Sequence, residues 1–200
     1  MVSNARYLRP AIKTRAFYNS EDYIRGTYKG VPYEQSSVQM MTTHRGRYAY
    51  RMWGIRSLKP RYTFKGRVLL FSSPRFQNIN SLKITTKSFS RSSWLGFNET
   101  MIRINDLFDS EFYVNAVNPQ DAYDLLTPQL MAEIANIKNY FGNFRIHINQ
   151  GMVYVAIGKL ESPFDRAYEA PLDRHKIYQL TDEYMNVTSK MLDTFFTVFL

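Results

Sequence analysis

Apolar and polar residues alternate with a period of two through much of the first half of the chain, which predicts strands. The alternation is accompanied by many β-formers, since the chain contains 15 Tyr and 14 Phe. A strand, turn, strand unit is predicted within residues 23–43. Further strands are predicted within residues 47–53, 61–73, 81–89 and 111–117.

Glycine and proline punctuate two of these strands. Gly26, Gly30 and Pro32 mark the turn region of the first unit. Gly66 predicts a bulge or bend inside the 61–73 strand. The apolar run at residues 68–71 predicts burial on both faces of the sheet.

The pattern changes to a helical period after residue 127. Thr127 is a good N-cap, Pro128 suits the first helical position and Gly142 suits the C-cap, so a helix over residues 128–141 is predicted. Its expected apolar face consists of Leu130, Ile134, Ile137 and Phe141.

A hairpin and a second helix complete the predicted elements. Residues 144–157 alternate on both sides of Asn149-Gln150-Gly151, which predicts the hairpin. Thr181 is expected to cap the final helix. The class is therefore α+β, with a mainly antiparallel sheet, either open or barrel-like, and two principal helices. Residues 1–20 are assigned to an N-terminal arm and residues 21–200 to a single domain.

Charge is distributed unevenly along the chain. The formal net charge is +9, yet residues 1–100 contain 18 Lys and Arg against 4 Asp and Glu, whereas residues 101–200 contain 8 against 13. No acidic residue lies between Glu34 and Glu99. Such a bias predicts attraction to an anionic partner.

The basic residues of this interval are the candidate binding site. They are interleaved with Tyr48, Tyr50, Trp53 and Tyr62, a mixture typical of phosphate attraction combined with base stacking. An anionic membrane surface or an acidic protein partner would use the same charges. A packed aromatic face with solvated arginines is the structural alternative. The candidate residues are Arg45, Arg47, Arg51, Arg56, Lys59, Arg61, Lys65 and Arg67.

Catalytic chemistry has less support in the sequence. The chain contains no cysteine, and it lacks the nucleophile-elbow, zincin and P-loop motifs, so no cofactor is predicted. Asp121 and Asp124 precede the cap of the 128–141 helix, where its dipole explains their charge. His147 is expected to be a plain surface residue on the outward face of the hairpin. A hydrolase in which these aspartates converge with a histidine is the third hypothesis.

Four stretches resemble a bacterial family of domains of unknown function, family 3137. They are residues 21–38, 64–71, 111–134 and 151–158, and the most specific is "EFYVNAVNPQDAYDLLTPQL". The resemblance implies a domain that is often tethered to a bacterial membrane by preceding apolar segments, without established catalytic residues. This chain contains no apolar segment long enough to span a membrane.

The first hypothesis is therefore a non-enzymatic binding or scaffold domain at the cytoplasmic face of a bacterial membrane. Its basic surface is expected to contact acidic lipid or an acidic partner. A single-stranded nucleic-acid binder is the alternative, and the hydrolase is third. Positive charge favours the cytoplasmic side, where the full-length protein is expected to be membrane-associated.

Overall fold

The computed structural model describes residues 16–42, 61–89, 99–160, 162–164 and 173–200. The predicted strand at 47–53 lies outside these residues. Within them, the strands are β1 Ala16–Tyr28, β2 Val31–Thr42, β3 Arg61–Ser72, β4 Leu82–Thr86, β5 Thr100–Ile102, β6 Phe112–Ala116, β7 Phe144–Asn149 and β8 Met152–Gly158. The helices are α1 Asp106–Glu111, α2 Pro119–Leu125, α3 Pro128–Phe141, α4 Arg174–Phe199 and a 3-10 turn at Pro74–Phe76.

All eight strands belong to one antiparallel sheet. Their order is β1-β2-β3-β8-β7-β4-β6-β5, and every neighbouring pair is antiparallel. The predicted α+β class with a mainly antiparallel sheet is confirmed. The barrel-like alternative is wrong, because β1 and β5 lie at opposite edges of the sheet. β1 begins at Ala16, inside the segment that the sequence assigns to the N-terminal arm.

Both tight hairpins have turns that twist in the same sense as their strands. Gln150 and Gly151 join β7 to β8 with φ angles of 47° and 76°, and Lys29 and Gly30 join β1 to β2 with 49° and 80°. Positive φ at both central residues defines the turn type that two-residue hairpins favour. The predicted 144–157 hairpin is therefore confirmed, and the first turn lies at 29–30.

The core is one cluster to which the sheet and all four described helices contribute, and α4 covers it at β3. Leu69 and Phe71 on β3 point toward the helix, and the ring of Phe71 lies 4.7 Å from that of Phe196. Val68 and Leu70, which point the other way, are only half-buried. The prediction of burial on both faces at 68–71 is thus wrong, because α4 covers one face of this strand.

Gly66 has a different role from the predicted bulge. The β2–β3 register shifts between Met40 and Met41, not at Gly66, which pairs directly with Val38 on one side and Gly158 on the other. A Cβ atom at Gly66 would lie 1.9 Å from the carbonyl oxygen of Ile157. Glycine therefore permits the close approach of β3 and β8.

The predicted helix at 128–141 is confirmed as α3. The hydroxyl of Thr127 accepts a hydrogen bond from the Leu130 amide at 3.3 Å, and Gly142 with φ 72° ends the helix. Leu130, Ile134 and Ile137 are buried as expected.

The final helix begins earlier than predicted. Asp173 is its N-cap and accepts a hydrogen bond from the Lys176 amide at 2.7 Å. Thr181 lies inside the helix, where its hydroxyl donates to the carbonyl of Ile177 at 2.8 Å. A threonine hydroxyl can be satisfied by the preceding turn, so a cap-type residue alone does not locate a helix start. Among the described residues, no helix is both long and apolar enough to cross a membrane.

Candidate functional site

The candidate basic residues fall into two groups. Lys65 and Arg67 lie on β3, as does the backbone of Arg61. The other five lie in the connection between β2 and β3, outside the described residues, and they are Arg45, Arg47, Arg51, Arg56 and Lys59.

Strand pairing brings the ends of three strands together. The first residue of β1, Ala16, pairs with the last residue of β2, Thr42, and Thr42 pairs with the first residue of β3, Arg61. Residues 1–15 and residues 43–60 therefore both continue from the same end of the sheet. We call the ends of β1–β3, together with these two segments, the basic end.

The two segments have the same charge character. Neither contains Asp or Glu. Their Lys and Arg residues are Arg6, Arg9, Lys13 and Arg15 in the first, and Arg45, Arg47, Arg51, Arg56 and Lys59 in the second. No feature of the sequence connects the two segments, because only the strand register shows that both start from one end of the sheet.

The ends of β1–β3 also extend beyond β8. β8 ends at Gly158, which pairs with Gly66, whereas β3 continues to Arg61. At about 3.3 Å per residue, β1–β3 extend beyond β8 by roughly 15 Å. We call this extension of the three strands the projection.

Arg67 does not belong to a basic surface. Its side chain is completely buried, with its guanidinium carbon 4.1 Å from the centre of the Tyr184 ring on α4. Among the described residues, its three guanidinium nitrogens have no hydrogen-bond partner. Burial lowers its pKa, while nearby Tyr184, Asp22 and Glu183 act in the opposite direction. The prediction of Arg67 as an exposed anion-binding residue is wrong, because β3 turns it toward α4.

Lys65 lies two residues earlier on the same face and is half-buried. It lines a small cavity of about 10 Å³ together with Ser37, Ser162 and their neighbours. That volume is close to the space that one water molecule needs. Lys65 therefore belongs partly to the interior at the base of the projection.

Asp121 and Asp124 lie in α2, a short helix capped by Asn118, and not in the approach to α3. Asp121 accepts hydrogen bonds from the Asn118 side chain at 2.7 Å and the Asn80 amide at 3.3 Å. Asp124 accepts one from Gln120 at 2.6 Å. These bonds fix local structure, and none of them involves a histidine.

His147 is not the plain surface residue that the sequence predicts. It lies half-buried on the sheet face opposite α4, with its ring stacked on Tyr154 at 5.6 Å between centres. Its Nε2 is 3.1 Å from the hydroxyl of Ser81. Burial, reinforced by the charge of Lys83, lowers its pKa to about 4. Ser81 lies just before β4, so no local pattern near His147 could reveal this hydrogen-bond partner.

The chemistry of this cluster is that of a structural network. The Ser81 hydroxyl donates to a Glu99 carboxylate oxygen at 2.7 Å, and Lys83 forms an ion pair with Glu99. A nucleophilic serine would instead give its proton to the histidine. In the part of the chain that the structure describes, no three His, Asp or Glu side chains are grouped to hold a metal ion.

An open cleft of about 300 Å³ lies where α3 and β8 end. It is lined by Phe141, Gly142, Asn143, Gly158, Lys159 and Leu160. Of these residues, only Lys159 has an ionisable side chain, and neither aspartate of α2 nor His147 lines the cleft. The structure therefore places no catalytic constellation in it.

Comparison with known proteins adds a family and one structural likeness. The model of the family described as "Protein of unknown function (DUF3137)" matches residues 59–196. No curated protein matches the chain. Among solved structures, the mycobacterial trehalose monomycolate transport factor A, TtfA, is similar over 88% of this chain and 72% of that chain, with 10% identity and a TM-score of 0.42. A TM-score of this size carries no inference about function.

Proposed function

Since this chain belongs to the DUF3137 family, for which no function is known, its own residues have to indicate its role, and we propose that it is a non-enzymatic binding module for the anionic inner face of a bacterial membrane. The basic end is the binding surface. Arg67 is excluded from it by burial, and Lys65 lies at its base.

The convergence of two acid-free segments supports this proposal. The pairing of Ala16, Thr42 and Arg61 tethers nine Lys and Arg residues of residues 1–15 and 43–60 to one end of the sheet. A basic residue near an anionic bilayer contributes on the order of 1 kcal/mol. Several such residues acting together therefore suffice for a stable, salt-sensitive contact.

The position of the strand ends and the positive charge of the basic end favour a membrane as the partner. Because β1–β3 extend past β8, their ends can approach a flat surface before β8 does. The inner leaflet of bacterial membranes is anionic, and positive segments are retained on that side. Tyr48, Tyr50 and Trp53, which accompany the charges in sequence, are residue types that membrane interfaces favour.

Vesicle co-sedimentation tests the proposal. The domain is mixed with vesicles of phosphatidylglycerol and phosphatidylcholine, or of phosphatidylcholine alone, at low and moderate salt. We expect pelleting only with the anionic vesicles, weakened by salt. The triple variant Arg45→Glu, Arg47→Glu, Arg51→Glu should lose it.

A matched variant separates position from total charge. Arg75→Glu, Arg103→Glu, Lys190→Glu changes the net charge equally at exposed positions outside the basic end, and it should still pellet. Equal loss in both triple variants would show that only net charge matters. Single-stranded RNA tests the second candidate function, and binding of RNA by a domain that pellets with neither kind of vesicle would favour nucleic acid.

A further inference from the structure

Two large apolar side chains are exposed near the start of α4. Ile177 is 45% exposed and Tyr178 is 57% exposed. One and two turns after Ile177, Leu180 and Tyr184 are buried and attach the helix to the sheet. This part of α4 is thus held firmly while it presents Ile177 and Tyr178 to solvent.

The residues that precede this pair are basic. Arg174, His175 and Lys176 form the first turn of α4, and the guanidinium carbon of Arg174 lies 5.9 Å from the centre of the Tyr178 ring. Two acids are nearby, since Asp173 is the N-cap and accepts the Lys176 amide, and Asp182 is exposed one turn after Tyr178. Apolar and cationic groups are therefore adjacent on one exposed surface, which we call the α4 patch.

The direction of α4 carries the α4 patch toward the basic end. Asp193 accepts hydrogen bonds from Tyr28 and Lys29 at the far end of β1, whereas the hydroxyl of Tyr184 donates to the carbonyl of Asp22 at its middle. From Tyr184 the helix continues for another ten residues to Arg174, about 15 Å at 1.5 Å per residue. It thus advances in the direction in which β1 runs back from Asp22 to Ala16.

We infer that the α4 patch enters the headgroup region of an anionic bilayer, with Ile177 and Tyr178 as the inserted side chains. The inference rests on the proposed function and adds an apolar contact to its electrostatic one. Tyrosine suits this boundary because its ring is apolar and its hydroxyl is polar. Isoleucine gains by leaving water for the acyl boundary, a gain that a nucleic-acid backbone does not offer.

Vesicle binding by a charge-neutral variant tests the inference. Ile177→Ser, Tyr178→Ser should bind vesicles of phosphatidylglycerol and phosphatidylcholine about tenfold more weakly, with the salt dependence of binding unchanged. Leu107→Ser, Tyr123→Ser is the matched control, because Leu107 and Tyr123 are 83% and 53% exposed on α1 and α2. The control should bind within about twofold of the unaltered chain.

A labelled chain provides a second readout that does not depend on serine variants folding. The sequence has no cysteine, so Tyr178→Cys and Tyr123→Cys can each carry one environment-sensitive nitrobenzoxadiazole probe. On addition of the anionic vesicles, the probe at 178 should brighten and shift to the blue, whereas the probe at 123 should not.

The outcomes separate the inference from the proposed function. If the domain pellets with anionic vesicles but the probe at 178 does not respond, or the serine variant binds unchanged, the inference is wrong and the proposed function stands. If the unaltered chain does not bind the vesicles, both are wrong. A response at 178 to single-stranded RNA instead of vesicles would also overturn the inference.

Discussion

Two glycines that are paired across β3 and β8 should differ strongly in their tolerance of substitution by alanine. Gly66 and Gly158 are directly paired. A Cβ atom on Gly66 would lie 1.9 Å from the carbonyl oxygen of Ile157, far below the 3.0 Å that real contacts respect. A Cβ atom on Gly158 would meet nothing closer than Phe89 at 3.5 Å.

The expected loss of stability follows from the part of the structure that has to move. In Gly66→Ala the obstacle is backbone, so β3 and β8 must separate by about 1 Å. Overpacking costs typically 1–3 kcal/mol, and weakened ladder hydrogen bonds add about 1 kcal/mol each. We expect a loss of about 3 kcal/mol or more in the free energy of unfolding, which corresponds to a fall of roughly 6–12 °C in Tm.

Urea and thermal denaturation followed by circular dichroism measure this loss. Gly158→Ala is the control and should remain within about 0.5 kcal/mol of the unaltered chain, because alanine restricts the unfolded state without a clash. If Gly66→Ala is as stable as Gly158→Ala, the close approach of β3 and β8 at Gly66 does not exist in solution.

Two further predictions concern buried charge and pH. Arg67→Met should raise the free energy of unfolding by about 1–3 kcal/mol, because desolvating a guanidinium costs several kcal/mol and stacking on Tyr184 returns about 2 kcal/mol; a loss in urea denaturation would mean that the charge is paired in solution. His147 has a folded pKa of about 4 against 6.5 in the unfolded chain, so the unfolded state binds more protons between these values and stability should fall as pH drops from 6.5 to 4. His147→Gln should remove roughly 2–3 kcal/mol of that fall, and equal pH profiles for both chains would contradict the lowered pKa.

Local signals explain which elements the sequence predicted well. The helix at 128–141 and the hairpin at 144–157 are defined by residues adjacent to them, namely Thr127, Gly142 and the Gln150-Gly151 turn. Capping bonds and positive φ angles operate over a few residues, so a local pattern suffices. The start of α4 was placed too late for a related reason, since Asp173 and Thr181 are both plausible caps, but it is Asp173 that accepts a hydrogen bond from a helix amide, that of Lys176.

The environment of the candidate site residues depends on contacts between residues far apart in sequence, which no local pattern contains. Arg67 and the basic residues of the β2–β3 connection have the same charge. Side chains alternate between the two faces of β3, however, and this alternation places Arg67 on the face that α4 covers. Similarly, His147 acquires Ser81 as a partner from beside β4, more than sixty residues away in sequence.

By itself, the sequence determined the antiparallel α+β class, the two principal helices and the excess of positive charge in the first half of the chain. Composition and short-range periodicity are sufficient for these properties. Only the tertiary structure decided that residues 1–15 and 43–60 start from one end of the sheet and that α4 runs toward it. Strand register and helix direction arise from contacts between residues far apart in sequence. Those contacts determine that the two basic segments start from the same end of the sheet.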